Sequence, residues 1–263
     1  MLAIAEANAT RRPASSATFA RRRAPVGAAY RVEQGPRYLE LVFDAPEDFA
    51  ARHVVPAQYI TMGLGEAVEP RYLVLANAPG ERRWRCLIGK DSTLGEALGA
   101  FEGSARELGE ALRVSAPEGI GFDVTRALDE EEQGGDQLPL VMLTTGSGVA
   151  TMHSVLRWLE LAHPSQLRSS TLFYGEQSEG TGAYTRYLRE LEQRGVAVTM
   201  AYEAPADAAY PWQYVQQPWL QRADDALFAR GLFLLSGARP MLRFATHALL
   251  ERGVDEGRIL LNV

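Results

Sequence analysis

Leu140-Val141-Met142-Leu143-Thr144-Thr145-Gly146-Ser147-Gly148-Val149-Ala150-Thr151-Met152 joins a short apolar run to a glycine turn and then to a helical pattern. Leu140 to Thr144 predicts a buried strand. Behind the turn, Met152, Val155, Leu156 and Leu159 share one face at helical spacing. Glycine lets the backbone turn tightly and brings its N–H groups, with the positive end of the following helix, against a pyrophosphate. A G-x-G turn in an α/β domain also serves close packing alone, so the motif by itself leaves both readings open.

Downstream the same rhythm of strand, turn and helix repeats. Thr171 to Tyr174 predicts a strand, Ala183 to Gln193 a helix stopped at Gly195, and Val196 to Tyr202 and Leu232 to Leu235 two further strands. Pro240 to Glu251 predicts the last long helix, before a strand over Arg258 to Asn262. Such alternation implies a parallel sheet covered by helices on both faces, with ligands at the carboxyl ends of its strands. Upstream, Tyr38 to Phe43, Gln58 to Leu64, Arg71 to Asn77 and Trp84 to Gly89 are short β-rich runs divided by turn residues, the pattern of a meander or small barrel. A short helix signal over Ser92 to Leu98 and a strand over Ala111 to Ser115 follow. Asp129 to Asp136, reading DEEEQGGD, has no apolar face and is the expected domain boundary.

The expected architecture is therefore β followed by α/β. Residues 1–16 form a disordered or targeting extension, 17–134 an antiparallel β-barrel domain, and 135–263 a parallel-sheet, Rossmann-like nucleotide-binding domain. A chain of 263 residues has room for two domains of ordinary size. Its 46% apolar and 23% charged residues are a globular composition, and no apolar run approaches the roughly 20 residues of a membrane span. The net charge of −6 argues against nucleic acid as a partner. Cys86 is the only cysteine, which rules out an intrachain disulfide and a cysteine-ligated iron-sulfur cluster, and leaves redox chemistry to an organic cofactor. The four histidines show no metal-ligand spacing, so no metal site is expected. Arg11, Arg12 and Arg21 to Arg23 in an otherwise Ala-rich start suit either an organelle transit peptide or a plain extension, and the expectation is cytoplasmic.

Three glycine turns are expected at one sheet edge: the Gly146 turn, Tyr174-Gly175-Glu176-Gln177, and Ser236-Gly237-Ala238-Arg239-Pro240-Met241. T-G-S-G-V-A-T-M, F-Y-G-E-Q, Tyr214-Val215-Gln216 and S-G-A-R-P-M, in this order, resemble the pyridine-nucleotide domain of the ferredoxin-NADP reductase-like oxidoreductases. Upstream, Pro56-Ala57-Gln58-Tyr59 is similar to that family's P-G-Q-Y turn, and Arg71-Tyr72-Leu73-Val74 stands at its flavin-binding R-x-Y-S strand. Ser92-Thr93 stands at the turn that meets the flavin pyrophosphate, and Glu118-Gly119-Ile120-Gly121-Phe122 resembles a loop near the flavin in some members.

The resemblance implies FAD and NAD(P)H as cofactors. Tyr59, Arg71, Leu73, Val74, Ser92, Thr93, Gly121 and Phe122 would then lie about the flavin, with Arg71 pairing the pyrophosphate unless it is a surface strand residue. Thr145, Gly146, Ser147 and Gly148 would surround the second pyrophosphate, and Gly175, Glu176, Gly237 and Met241 would complete that site. Ser236 would sit near the nicotinamide, at the place of a cysteine. Leu73, Val74 and Val263 stand where the family has a tyrosine, a serine and a terminal aromatic, which lessens stacking and polar help for a flavin. Glu176, Gln177 and Glu203 in the candidate loops lean toward NADH, because a 2′-phosphate demands basic partners.

The implied activity is passage of hydride from NAD(P)H to FAD N5 and of electrons to an acceptor protein or small molecule. Two alternatives stand beside it: a nucleotide-binding or regulatory module with weak or lost flavin binding, and an electron-transfer subunit of a larger dehydrogenase complex.

Overall fold

The computed structural model describes residues 24–66, 68–125, 128, 138–204, 214–222 and 225–262. Val263, the extension at 1–16 and the expected boundary run at 129–136 lie outside them.

Six strands form the antiparallel part: β1 (Ala29–Gln34), β2 (Tyr38–Asp44), β3 (Tyr59–Leu64), β4 (Arg71–Val74), β5 (Arg83–Gly89) and β6 (Leu112–Val114). They pair as two three-stranded sheets, ordered β1-β2-β5 and β4-β3-β6. A backbone bond from Ala76 N–H to Arg85 O at 2.8 Å ties the segment after β4 to β5. Leu41, Phe43, Ile60, Met62, Trp84 and Leu98 fill the space between the sheets.

The parallel part contains β7 (Leu140–Thr145), β8 (Ser170–Ser178), β9 (Ala197–Ala204), β10 (Leu232–Ser236) and β11 (Ile259–Asn262), ordered β11-β10-β7-β8-β9. Alternate residues of β7 serve opposite faces. Leu140 and Met142 pack with Val155, Leu156 and Leu159 of the helix Val149–Ala162. Val141 and Leu143 pack with Leu242, Ala245 and Leu249 of the helix Arg239–Glu251. Both faces are thus apolar, as a doubly covered parallel sheet requires.

The chain leaves β7 toward β8 and β9, then returns to place β10 on the other side of β7. The helices that follow β7 and β10 therefore lie on opposite faces, while the turns that lead into them meet at the carboxyl edge, where ligands of such sheets sit.

The two parts share one core and a seam of buried polar bonds. Tyr38, Ala57, Ala76, Leu87 and Phe122 of the antiparallel part join the cluster around the helix Val149–Ala162. Ser154 Oγ accepts from Ala57 N–H at 3.0 Å and donates to Asn77 O at 2.7 Å. His153 Nδ1–H donates to Ala76 O at 2.7 Å, and its ring stacks on Tyr184 with centroids 4.1 Å apart. Tyr184 Oη in turn donates to the buried carboxylate of Glu40, which also pairs with Arg85 at 3.0 Å. Asn262 Nδ2 donates to Ala57 O at 3.1 Å.

Among the described residues, no helix is long and apolar enough to cross a membrane.

Candidate functional site

A cleft of about 1060 Å³ runs along the carboxyl edge of the parallel sheet and faces β4 and β5. On the sheet side, two helices begin at its wall. Strand β7 ends at Thr145; Gly146 turns the chain with φ +58°, and Gly148 leads into the helix Val149–Ala162. Strand β10 ends at Ser236; Gly237 turns it with φ +130°, and Ala238 leads into the helix Arg239–Glu251. Neither helix has a side-chain cap or an acidic residue in its first turn. Each N-terminus carries roughly half a positive charge, so two positive helix ends without side-chain caps of their own converge on one cleft.

The glycines are required by close approach. A Cβ on Gly237 would lie 2.3 Å from Thr145 Oγ1, the atom that accepts from Ala238 N–H at 2.8 Å. A Cβ on Gly148 would lie 2.8 Å from Thr144 Oγ1 and 2.9 Å from Gly237 N. The two loops are therefore clamped to each other through Thr145. Gly175, at the next strand end, is covered by Thr145 and Val215.

Of the expected residues, Leu73, Val74, Ser92, Thr145, Gly146, Ser147, Gly148, Gly175, Glu176, Ser236, Gly237 and Met241 line the cleft. Five do not line it. Arg71 is exposed on the edge strand β4, and Thr93 is an exposed first residue of the helix Thr93–Ala100. Tyr59 is half-buried, packed edge-on against Tyr72 with centroids 5.4 Å apart. Gly121 has φ +58° and presses on the Pro56 carbonyl, where a Cβ would stand 2.2 Å away. That turn delivers Phe122 to the shared core, where it is fully buried, so its ring serves packing rather than the cleft.

Glu176 departs from expectation in another way. Its side chain is wholly buried and its acceptors are taken within the protein: Tyr38 Oη at 2.7 Å and Tyr174 Oη at 3.2 Å on Oε1, Arg37 Nη1 at 2.8 Å and Gln177 N–H at 3.0 Å on Oε2. Burial first, and then this carboxylate, raise the pKa of both tyrosines, which stay protonated donors.

Residues that the sequence reading did not single out also line the cleft, among them Arg37, Tyr38, Asp91, Thr151 and Asn262. Gly35-Pro36 marks a turn before Arg37, yet nothing local places Arg37 and Tyr38 beside a strand more than a hundred residues away. Arg37 is the one cation among the described lining residues, and it is already paired with Glu176.

The donor set fits a dinucleotide on the sheet side, where the uncapped helix ends and the left-handed Gly146 leave backbone N–H groups for a pyrophosphate. On the opposite side, Leu73, Val74 and Leu87 offer an apolar wall suited to a flat ring. Phosphate donors on that side are fewer. The Ser92 hydroxyl donates to Gly89 O at 2.6 Å and accepts from Gly95 N–H at 3.0 Å, and Asp91 adds a carboxylate to the rim.

No protein-family model and no curated protein matches the chain. Solved structures do. The flavohaem-like FAD/NAD-binding domain of a Vibrio cholerae nitric oxide dioxygenase is 20% identical, with a TM-score of 0.69 over 90% of this chain and 98% of that one. An Amycolatopsis cytochrome P450 reductase is 16% identical, with a TM-score of 0.73 over 91% of this chain and 69% of that one. A Plasmodium falciparum ferredoxin-NADP+ reductase, solved with 2′P-AMP, is 11% identical, with a TM-score of 0.69 over 90% and 94%. An antiparallel part followed by a five-stranded parallel sheet, with the cleft at the seam, is thus the two-part fold of the ferredoxin-NADP reductase-like FAD/NAD-binding proteins.

Proposed function

We propose that this chain is an NAD(P)H-dependent flavin oxidoreductase, with residues 17–134 as the flavin domain and 135–263 as the nucleotide domain. The observation that carries the reading is the convergence of two uncapped helix N-termini and the Gly146 turn on one cleft, opposite the apolar wall of Leu73 and Val74.

The backbone N–H groups from Gly146 to Gly148 would bind the nucleotide pyrophosphate, and Gly237 and Met241 would close the far side. Leu73, Val74 and Leu87 hold the flavin ring and keep water from it. Arg71 and Thr93, both exposed and outside the cleft lining, would supply the side-chain donors for the flavin phosphates. Bound FAD supplies the hydride acceptor and the route by which electrons pass on to an acceptor protein or small molecule. The protein's part is placement, because rings held in the reacting geometry convert an encounter into an internal step. NADH is the favoured donor: Glu203 is exposed in the lining, Arg37, the cation in the described lining, is already paired with Glu176, and Arg186 pairs with Glu190 along its own helix.

A second reading rests on Asp91 and Ser92. A carboxylate at the rim and a hydroxyl already committed suit a nucleotide-binding module with weak flavin binding. An absorption spectrum of the purified protein, before and after anaerobic addition of NADH or NADPH, separates the two. Yellow protein bleached by NADH supports the reductase. Colourless protein that stays colourless with added FAD yet binds NADH supports the module.

A further inference from the structure

A buried carboxylate stands close to the turn that is to bind an anion. Glu176 Oε1 accepts from Tyr38 Oη at 2.7 Å, and that same hydroxyl is the atom nearest a Cβ built on Gly146, at 3.4 Å. One hydroxyl therefore separates the carboxylate from the Gly146 turn. Gly146 and Glu176 line the same cleft, yet the Glu176 side chain is wholly buried. Tyr174 Oη, Arg37 Nη1 and Gln177 N–H fill its remaining acceptor sites, so it has none to offer a ribose hydroxyl.

Its charge still acts across the turn. An uncancelled negative charge about 7 Å from a pyrophosphate would weaken binding on the order of tenfold. The cancelling charge comes from the other part of the chain: Arg37 lies 2.8 Å from Glu176 Oε2, with its own side chain one-third exposed. The other charged side chains of the described cleft wall, Asp91 and Glu203, are carboxylates too. We propose that Arg37 is a positioning residue for the nucleotide that acts through Glu176 rather than on the phosphates, by cancelling a carboxylate that the parallel part places beside its own anion site. The parallel part is thus incomplete as a nucleotide binder until the antiparallel part docks Arg37 against it. This rests on the proposed nucleotide site and reverses the expected role of Glu176, which opposes the nucleotide instead of holding it.

NADH and NADPH are titrated calorimetrically at pH 8 into the full chain, Arg37→Gln, Glu176→Gln and the double variant, and the melting temperature of each protein is recorded. Arg37→Gln should weaken NADH on the order of tenfold and NADPH, with its extra phosphate, by more. Glu176→Gln should tighten both. The double variant, neutral at both positions, should return NADH to within about twofold of the unaltered protein. A guanidinium that bound the phosphates directly would not be replaced by removing Glu176, so failure of this rescue overturns the inference and leaves the nucleotide site standing. Affinities that follow the melting temperature and ignore the charge of the ligand overturn it equally. Should Arg37→Gln not fold, Glu176→Gln carries the test alone, and unchanged or weakened affinity there overturns the inference. If the unaltered protein binds neither nucleotide, the nucleotide reading falls and the inference falls with it.

Discussion

Tyr38 donates its phenolic hydrogen to Glu176 Oε1 at 2.7 Å, a bond between side chains 138 positions apart that joins the antiparallel part to the parallel sheet. Arg37 reaches the other carboxylate oxygen at 2.8 Å, so consecutive residues of one part grip both oxygens of a single buried group of the other. A hydrogen bond to a charged group contributes about 1.5–3 kcal/mol. Tyr38→Phe is expected to lower stability by about that amount in equilibrium denaturation. A double-mutant cycle with Glu176→Gln should return a coupling of at least ~1 kcal/mol. Additive losses would show that the two side chains are neighbours without being partners.

Ser154 satisfies two buried backbone groups across the same seam, Ala57 N–H and Asn77 O. Ser154→Ala removes the hydroxyl and leaves both unpaired in a fully buried place. The expected cost is about 1–3 kcal/mol. For a chain of this size that is a fall in melting temperature on the order of 2–10 °C. An unchanged melting temperature would mean that the seam opens to solvent at Ser154.

Two glycine substitutions should behave differently. In Gly237→Ala the new carbon would sit 2.3 Å from Thr145 Oγ1 and 2.8 Å from Thr145 N, so the clamp between the loops must open. NADH affinity is expected to fall on the order of 100-fold. In Gly146→Ala the nearest atom is Tyr38 Oη at 3.4 Å, and the cost is chiefly the left-handed backbone, about 1–2 kcal/mol. The loop keeps its path, and NADH affinity should fall on the order of tenfold or less. Fluorescence titration of both variants tests the order, and a larger loss in Gly146→Ala would reverse the assignment of the clamp.

The parallel sheet was legible because its cues are local. The apolar run before Gly146, the helical spacing behind it and the turn at Gly195, which has φ +99°, each lie within a dozen residues. The helix Ala105–Ala111 was missed although Ser104 and Glu107 form a capping box, an S-x-x-E signal present in the sequence. Strand β1 was missed for a sounder reason: Ala29-Tyr30-Arg31-Val32-Glu33-Gln34 buries only Ala29, exposes three of its six residues and carries no continuous apolar face. The seam was illegible, since His153 and Ser154 look like ordinary polar helix positions until the helix is laid against Ala57 and Ala76. Phe122 was misplaced because motif order says nothing of where a ring points, and a phenylalanine beside an apolar core gains about 1.5–3 kcal/mol by entering it. Ala57 shows the same limit in reverse. It holds φ +65°, a conformation that favours glycine, although the residue is alanine where the resembled turn has glycine.

Acid should destabilise the fold through two buried histidines. His53 and His153 are buried, and burial lowers the pKa of each to about 4. Glu81 opposes the shift at both, and Arg85 and Arg157 add to it at His153. The unfolded chain binds protons at these histidines as the pH falls through about 6.5, whereas the folded protein does not until about 4. Their contribution is therefore fully present above pH ~6.5 and is lost between ~6.5 and ~4, at about 1.4 kcal/mol per pH unit for each histidine. Glu107 and Glu160, whose pKa values are lowered by hydrogen bonds and ion pairing, act in the same direction only at lower pH, near and below the ordinary carboxylate range. The interval from pH 6 to 5 isolates the histidines. Urea midpoints at pH 7.0, 6.0, 5.5 and 5.0 should fall steadily, and His53→Gln should remove about half of that slope. A flat profile to pH 5 would mean that both rings accept a proton within the fold, which their burial argues against, although the Nδ1–H bond of His153 to Ala76 O favours its charged form.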